Sequence, residues 1–128
     1  MKILRFLHAP RYVRTEGITS YLLASGRTCD AAMLTTTLVE MAPGGYQRVH
    51  SHEPEQVYFV LEGMGSMTVG EDVAEVSEGD CVFIPSGMPH GLRNEGPGIL
   101  RYFSAAAPAF PRDDLERIWP LKPKNPHA

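Results

Sequence analysis

Two histidines one residue apart, a glutamine shortly after them and a third histidine further on are the side chains of this sequence best suited to chemistry. The first group sits in Gly44-Gly45-Tyr46-Gln47-Arg48-Val49-His50-Ser51-His52-Glu53-Pro54-Glu55-Gln56. The second sits in Gly79-Asp80-Cys81-Val82-Phe83-Ile84-Pro85-Ser86-Gly87-Met88-Pro89-His90-Gly91-Leu92-Arg93-Asn94. Residues two apart in a strand project from one face, so His50 and His52 can present both imidazoles to one point, as a first-row transition metal requires.

The elements that must position these side chains read as β-structure. Runs rich in Val, Thr, Tyr and Phe, separated by Gly and Pro, predict strands at 18–24, 33–41, 48–51, 56–62, 65–69, 72–76, 81–84, 90–93 and 99–104. Many short strands at such intervals belong to an all-β sandwich or barrel. Glu62-Gly63-Met64-Gly65, Val69-Gly70-Glu71-Asp72 and Pro85-Ser86-Gly87 place glycine where a tight reversal needs positive φ. A single helix is expected near the C-terminus: Asp113 as cap with Glu116 three residues on, Leu115, Ile118 and Trp119 on one face, and Pro120 as the stop. The Pro-rich, polar residues beyond it read as a mobile tail.

The two groups of residues resemble the paired motifs of the cupin superfamily, G-x5-H-x-H-x3-E-x6-G and G-x5-P-x-G-x2-H-x3-N. Gly44, His50, His52 and Gly63 fit the first, and Gly79, Pro85, Gly87, His90 and Asn94 fit the second. The usual glutamate is Gln56 here. The resemblance implies one cupin domain over residues 1–128, a double-stranded β-helix (jelly-roll) barrel with a core at about 31–104 and a C-terminal helix and tail at 112–128. It also implies a metal centre of His50, His52, Gln56 and His90 holding one divalent transition metal ion.

Three neutral imidazoles and an amide oxygen suit Zn, Ni, Fe, Mn or Co. A glutamine leaves the ion its full charge, which weakens binding but makes the ion a stronger electrophile. Glu55 is the alternative ligand, although its parity is opposite to the histidines and Pro54 interrupts the strand. By parity, Tyr46 and Arg48 on the His50 strand, Tyr58 and Val60 after Gln56, and Leu92 after His90 should face the barrel interior. Arg48 and Tyr58 are the candidate catalytic residues, Arg48 as a clamp for a carboxylate or phosphate and Tyr58 as an acid, against the plainer readings of a solvated rim charge and a core aromatic. Asn94 is expected to brace a turn.

At 128 residues the chain can build one sizeable core. A net charge of −3 without a basic stripe argues against nucleic acid. No segment is apolar over the length needed to cross a bilayer, and the charged N-terminus does not read as a signal peptide. Two distant cysteines, Cys29 and Cys81, suit a reducing cytoplasm, with Cys81 expected to be a buried strand residue. Spare apolar surface on the N-terminal strands and the C-terminal helix points to a homodimer.

Fold alone names no reaction. The run His-Ser-His, then Gln, then Val-Tyr-Phe-Val-Leu-Glu-Gly is similar to small single-domain cupins of pectin breakdown, which open unsaturated uronates to keto forms and use a glutamine ligand. The resemblance therefore implies a metal-dependent enzyme on a small polar, sugar-derived or keto-acid substrate, of isomerase or ring-opening type. A metal-dependent dioxygenase and a non-catalytic small-molecule-binding cupin are the alternatives.

Overall fold

In the computed structural model, which describes residues 1–118, ten strands form two antiparallel sheets. The strands are β1 (Arg11–Arg14), β2 (Ile18–Leu22), β3 (Thr35–Met41), β4 (Tyr46–His50), β5 (Glu55–Glu62), β6 (Met64–Val69), β7 (Asp72–Ser77), β8 (Cys81–Ile84), β9 (His90–Arg93) and β10 (Leu100–Ala107). One sheet has the order β1-β2-β3-β10-β5-β8 and the other β4-β9-β6-β7. This is the expected jelly-roll, and the alternation along each strand explains why it closes. Leu100, Tyr102, Ser104 and Ala106 point inward from β10, and Gln56, Tyr58 and Val60 do the same from β5. Of these, Tyr58, Val60, Leu100 and Tyr102 meet Met41, Met67, Ile84 and Leu92 in a continuous core. Fully burying a side chain such as Leu100 contributes about 2 kcal/mol.

The turns behave as their residues dictate. Gly63 has φ +86°, and a Cβ there would stand 2.4 Å from the Ile99 carbonyl oxygen, so the β5–β6 reversal admits only glycine. Asn94 braces the chain beyond β9: its Nδ2 donates to the carbonyls of Met41 (3.0 Å) and Gly98 (2.9 Å), while its Oδ1 accepts from Gly96 N–H (3.0 Å).

Several expectations need correction. The strand β1 is added ahead of the first one anticipated; its Arg-Tyr-Val-Arg pattern is stabilised by pairing with β2 rather than by composition. The C-terminal helix is not alone, since a four-residue α1 (Gly26–Cys29) and a 3-10 turn at Phe6–His8 precede it. Ser25 caps α1 by accepting from Thr28 N–H at 3.1 Å, and a helix of one turn is too short to show periodicity. The C-terminal helix α2 (Arg112–Ile118) begins one residue early, which puts Asp113 inside its first turn instead of ahead of it. Leu115 packs on Leu22, with Tyr12 and Phe110 beside them, so α2 sits on the barrel; Trp119 and the tail lie outside the described residues. Cys81 is exposed, because Val82 and Ile84 take the inward positions of β8. Among the described residues no helix is long and apolar enough to cross a membrane.

Candidate metal centre

The register between β4 and β9 decides which side chains face the interior. Gln47 pairs with Leu92 but His50 pairs with His90, so three steps on β4 oppose two on β9. The extra residue is a β-bulge, and a bulge reverses parity along the strand. Below it, Gln47 rather than Tyr46 shares the inner face with Leu92. Tyr46 instead pairs with Arg93, whose guanidinium lies 5.1 Å from the Tyr46 ring, which corrects the expectation that Tyr46 faces inward.

Above the bulge, His50 closes β4 directly opposite His90, with ring centroids 4.3 Å apart. His52 is not on that strand, as the spacing suggested, but in the connection that follows it. Gly87, at φ +74°, holds this connection by donating its N–H to the His52 carbonyl at 2.8 Å. The His52 ring stands 4.9 Å from that of His90 and edge-on to Phe110 at 5.2 Å. One nitrogen from each of the three rings lies within 4.8 Å of the others.

The proton on each ring follows from its neighbours. Nδ1 of His50 lies 2.8 Å from the Arg48 carbonyl, that of His52 2.8 Å from the Pro54 carbonyl, and that of His90 2.9 Å from the Met88 carbonyl. A carbonyl only accepts, so Nδ1 carries the proton in all three and Nε2 is left as a lone pair. Burial holds the His50 imidazole below its ordinary pKa and brings that of His90 down to about 4, which keeps both rings neutral near pH 7. His90 Nε2 is buried with no hydrogen-bond partner.

Gln56 completes the group from β5. It is buried, and its Nε2 donates to Ser104 Oγ at 3.1 Å, which in turn hydrogen-bonds Thr37 Oγ1 at 2.7 Å. That network turns Gln56 Oε1 toward His52 Nε2, 2.9 Å away. With the His52 proton on Nδ1, two lone pairs then face each other, an arrangement that a cation relieves. An orphaned buried nitrogen on His90 and opposed acceptors on His52 and Gln56 are what a metal-ligand set presents before loading, and the residues fit a divalent transition metal. Glu55 is exposed on the opposite face of β5, as its parity required.

His50, His52 and Gln56 line a cavity of about 580 Å³ that also receives Tyr12, Arg14, Glu16, Arg48, Tyr58 and Phe110. Arg48 stands at its rim with its side chain 73% exposed and Nε 3.5 Å from Glu16 Oε2. Tyr58 lies beneath the histidines, tilted on Tyr102 at 4.5 Å and edge-on to His90 at 6.0 Å. Burial pushes its phenol up to about 12, so it holds its proton. Arg14, Gln47 and the Ser104–Thr37 pair were not anticipated. Their signals were present only as parity on strands whose registers the sequence does not reveal.

Residues 37–105, which carry all four candidate ligands, match the Cupin_2 cupin-domain family. The chain belongs to the cupin family. Among its relatives, an uncharacterized protein of Methanocaldococcus jannaschii, MJ1618, is 34% identical over 74 residues, 57% of this chain and 59% of that protein. The dimethylsulfoniopropionate lyase DddQ of Ruegeria pomeroyi is 34% identical over 73 residues, 56% of this chain and 36% of the lyase. The chain thus spans less than two thirds of either relative. The solved structure of KdgF from Halomonas sp. superimposes with a TM-score of 0.75 at 20% identity, covering 90% of this chain and 98% of that one, a likeness of fold.

Proposed function

We propose that this cupin domain is a metal-dependent enzyme that moves a proton beside a polarised oxygen of a small polar substrate, a sugar-derived or keto acid, in an isomerisation or ring-opening. The observation that carries this reading is the convergence of His50, His52 and His90 within 4.8 Å, each with its Nδ1 spent on a backbone carbonyl. Gln56 Oε1 adds a fourth donor without adding charge. When bound, a divalent ion supplies Lewis acidity toward a carbonyl or a water.

The residues of the chain itself do the rest. The backbone carbonyls of Arg48, Pro54 and Met88 fix the tautomer and the tilt of each imidazole, and Ser104 fixes the amide. Tyr58, protonated and inward-facing, can give a hydrogen bond or a proton to an oxygen in the cavity but cannot take one up near neutral pH. Arg48 stays at the rim, mostly in water and paired with Glu16. The likeness to the DddQ lyase supports the reading, since chemistry that begins by removing a proton beside a polarised group is common to isomerases and lyases. The reading includes a cytoplasmic homodimer acting on a small molecule, with neither membrane nor nucleic acid as partner; Cys29 and Cys81 are both free thiols, which suits a reducing compartment.

Elemental analysis of protein purified without added metal tests the first half of the proposal, and a screen of uronates and keto acids on the loaded form tests the second. Stoichiometric metal with isomerisation or elimination of one such acid is expected. Oxygen consumption with a diol would favour a dioxygenase, and tight binding without turnover a sensor; either result replaces the reading.

A further inference from the structure

The cavity holds a second pole that the metal-ligand set does not use. Arg14 ends β1 and reaches inward beside the histidines. Its guanidinium is stacked 5.0 Å from the Tyr12 ring, and Nη1 donates to Gln47 Oε1 at 3.1 Å. These two contacts fix the plane of the group. Nε, by contrast, is buried and has no hydrogen-bond partner, a condition that costs about 1–3 kcal/mol unless an acceptor is supplied. The charge lies close enough to act on His50, Tyr58 and Tyr102.

Arg14 forms no salt bridge with an acid among the described residues. Two acids line the cavity, Glu16 and Asp114, and the Glu16 carboxylate is engaged by Arg48 Nε at 3.5 Å and by Thr15 Oγ1 at 3.0 Å. Gln47 offers Arg14 a neutral oxygen only. Arg48, the arginine that the sequence singles out, is mostly in water and already has its acid. The unpaired Nε–H is a donor that a carboxylate oxygen can satisfy as the cavity fills, and an arginine already held by two contacts forfeits little entropy in binding it.

We propose that Arg14 is the carboxylate anchor of this cavity, so that substrates are selected for a carboxylate placed at Arg14 and a second oxygen directed to the three-histidine pole. The proposal deepens the metal-site reading, on which only the placement of the second oxygen depends.

The test follows the Arg14 Nε–H resonance in the folded protein, assigned by its loss in Arg14→Lys, with and without added Zn²⁺. The probes are pyruvate and D-galacturonate, each compared with its methyl ester. The acids should shift the resonance saturably and bind about tenfold or more tightly than the esters, the gain expected of one charge-assisted pair. That preference should vanish in Arg14→Gln and survive in Arg48→Gln, with the backbone amide spectrum unchanged. No saturable shift at high-millimolar acid, an equal response to acid and ester, or a preference that persists in Arg14→Gln would each overturn the assignment. The wild-type titration alone decides the matter if the glutamine variant does not fold. Failure of Zn²⁺ to bind while Arg14 still answers to the acids would remove the metal reading and leave the anchor standing.

Discussion

Gln56 Oε1 and His52 Nε2 stand 2.9 Å apart with a lone pair on each, because Ser104 orients the amide and the Pro54 carbonyl takes the imidazole proton. Such a contact is unfavourable between neutral acceptors and becomes favourable with a cation between them. Replacing Gln56 therefore reports on the charge of the centre. Gln56→Glu adds a negative charge to the ligand set and should tighten Zn²⁺ binding about tenfold, or about 1.4 kcal/mol, while weakening the ion as an electrophile and so lowering turnover. Gln56→Ala should weaken binding. Competition against a chelator of known affinity measures both, and parental affinity in both variants would take Gln56 out of the site.

The three histidines should be jointly required for metal. Each supplies the only unprotonated nitrogen of its ring, and loss of a direct ligand should cost at least as much as loss of an outer hydrogen-bond partner, about a hundredfold. Metal content by mass spectrometry should fall in His50→Ala, His52→Ala and His90→Ala. Far-ultraviolet circular dichroism should not change for the first two, whose side chains are partly solvated. Wild-type metal content in His90→Ala would exclude that residue.

Burial of His90 also gives the metal-free fold a pH dependence of definite sign. The folded ring has a pKa of about 4 against 6.5 for an ordinary histidine. Below 6.5 the unfolded chain takes up a proton that the folded chain refuses, so stability is fully present above that pH and is lost as pH falls toward 4. Urea midpoints of chelator-treated protein should thus drop between pH 7 and pH 5, and His90→Gln should drop less. Equal losses in the two proteins would mean that the ring titrates normally in the folded state.

How much of this was legible beforehand depends on the kind of signal. The three converging histidines and the turns at Gly63 and Gly87 were readable, because each rests on residue type at a fixed spacing. The anchor at Arg14 was not. Its meaning depends on pairing between β1 and β2 and on the bulge between Gln47 and His50, both of which are long-range registers. The bulge is also why simple parity put Tyr46 inside and overlooked Gln47. A flanking glycine or a local pattern would have announced a turn, but nothing within β4 marks an extra residue as one that the partner strand will not match.

The expected homodimer acquires a different surface from the one the sequence suggested. Leu115 is buried within the chain against Leu22 and cannot serve an interface. On the outer face of the six-stranded sheet, however, Phe59 is 41% and Phe83 56% exposed, with Val57 directly opposite Phe83 on the next strand. Among the described residues the strand β8 that carries Phe83 is the sheet's edge, and its outward backbone groups lack a partner strand there. Aromatic side chains on an open edge are a surface that a second copy can cover. Sedimentation at micromolar concentration should therefore give a species of twice the 14.1 kDa chain. Phe83→Glu places a charge at an exposed position that the fold does not need, and should yield monomers with the metal content intact. A wild-type protein that sediments as a single 14.1 kDa species would show that these aromatics face water in solution.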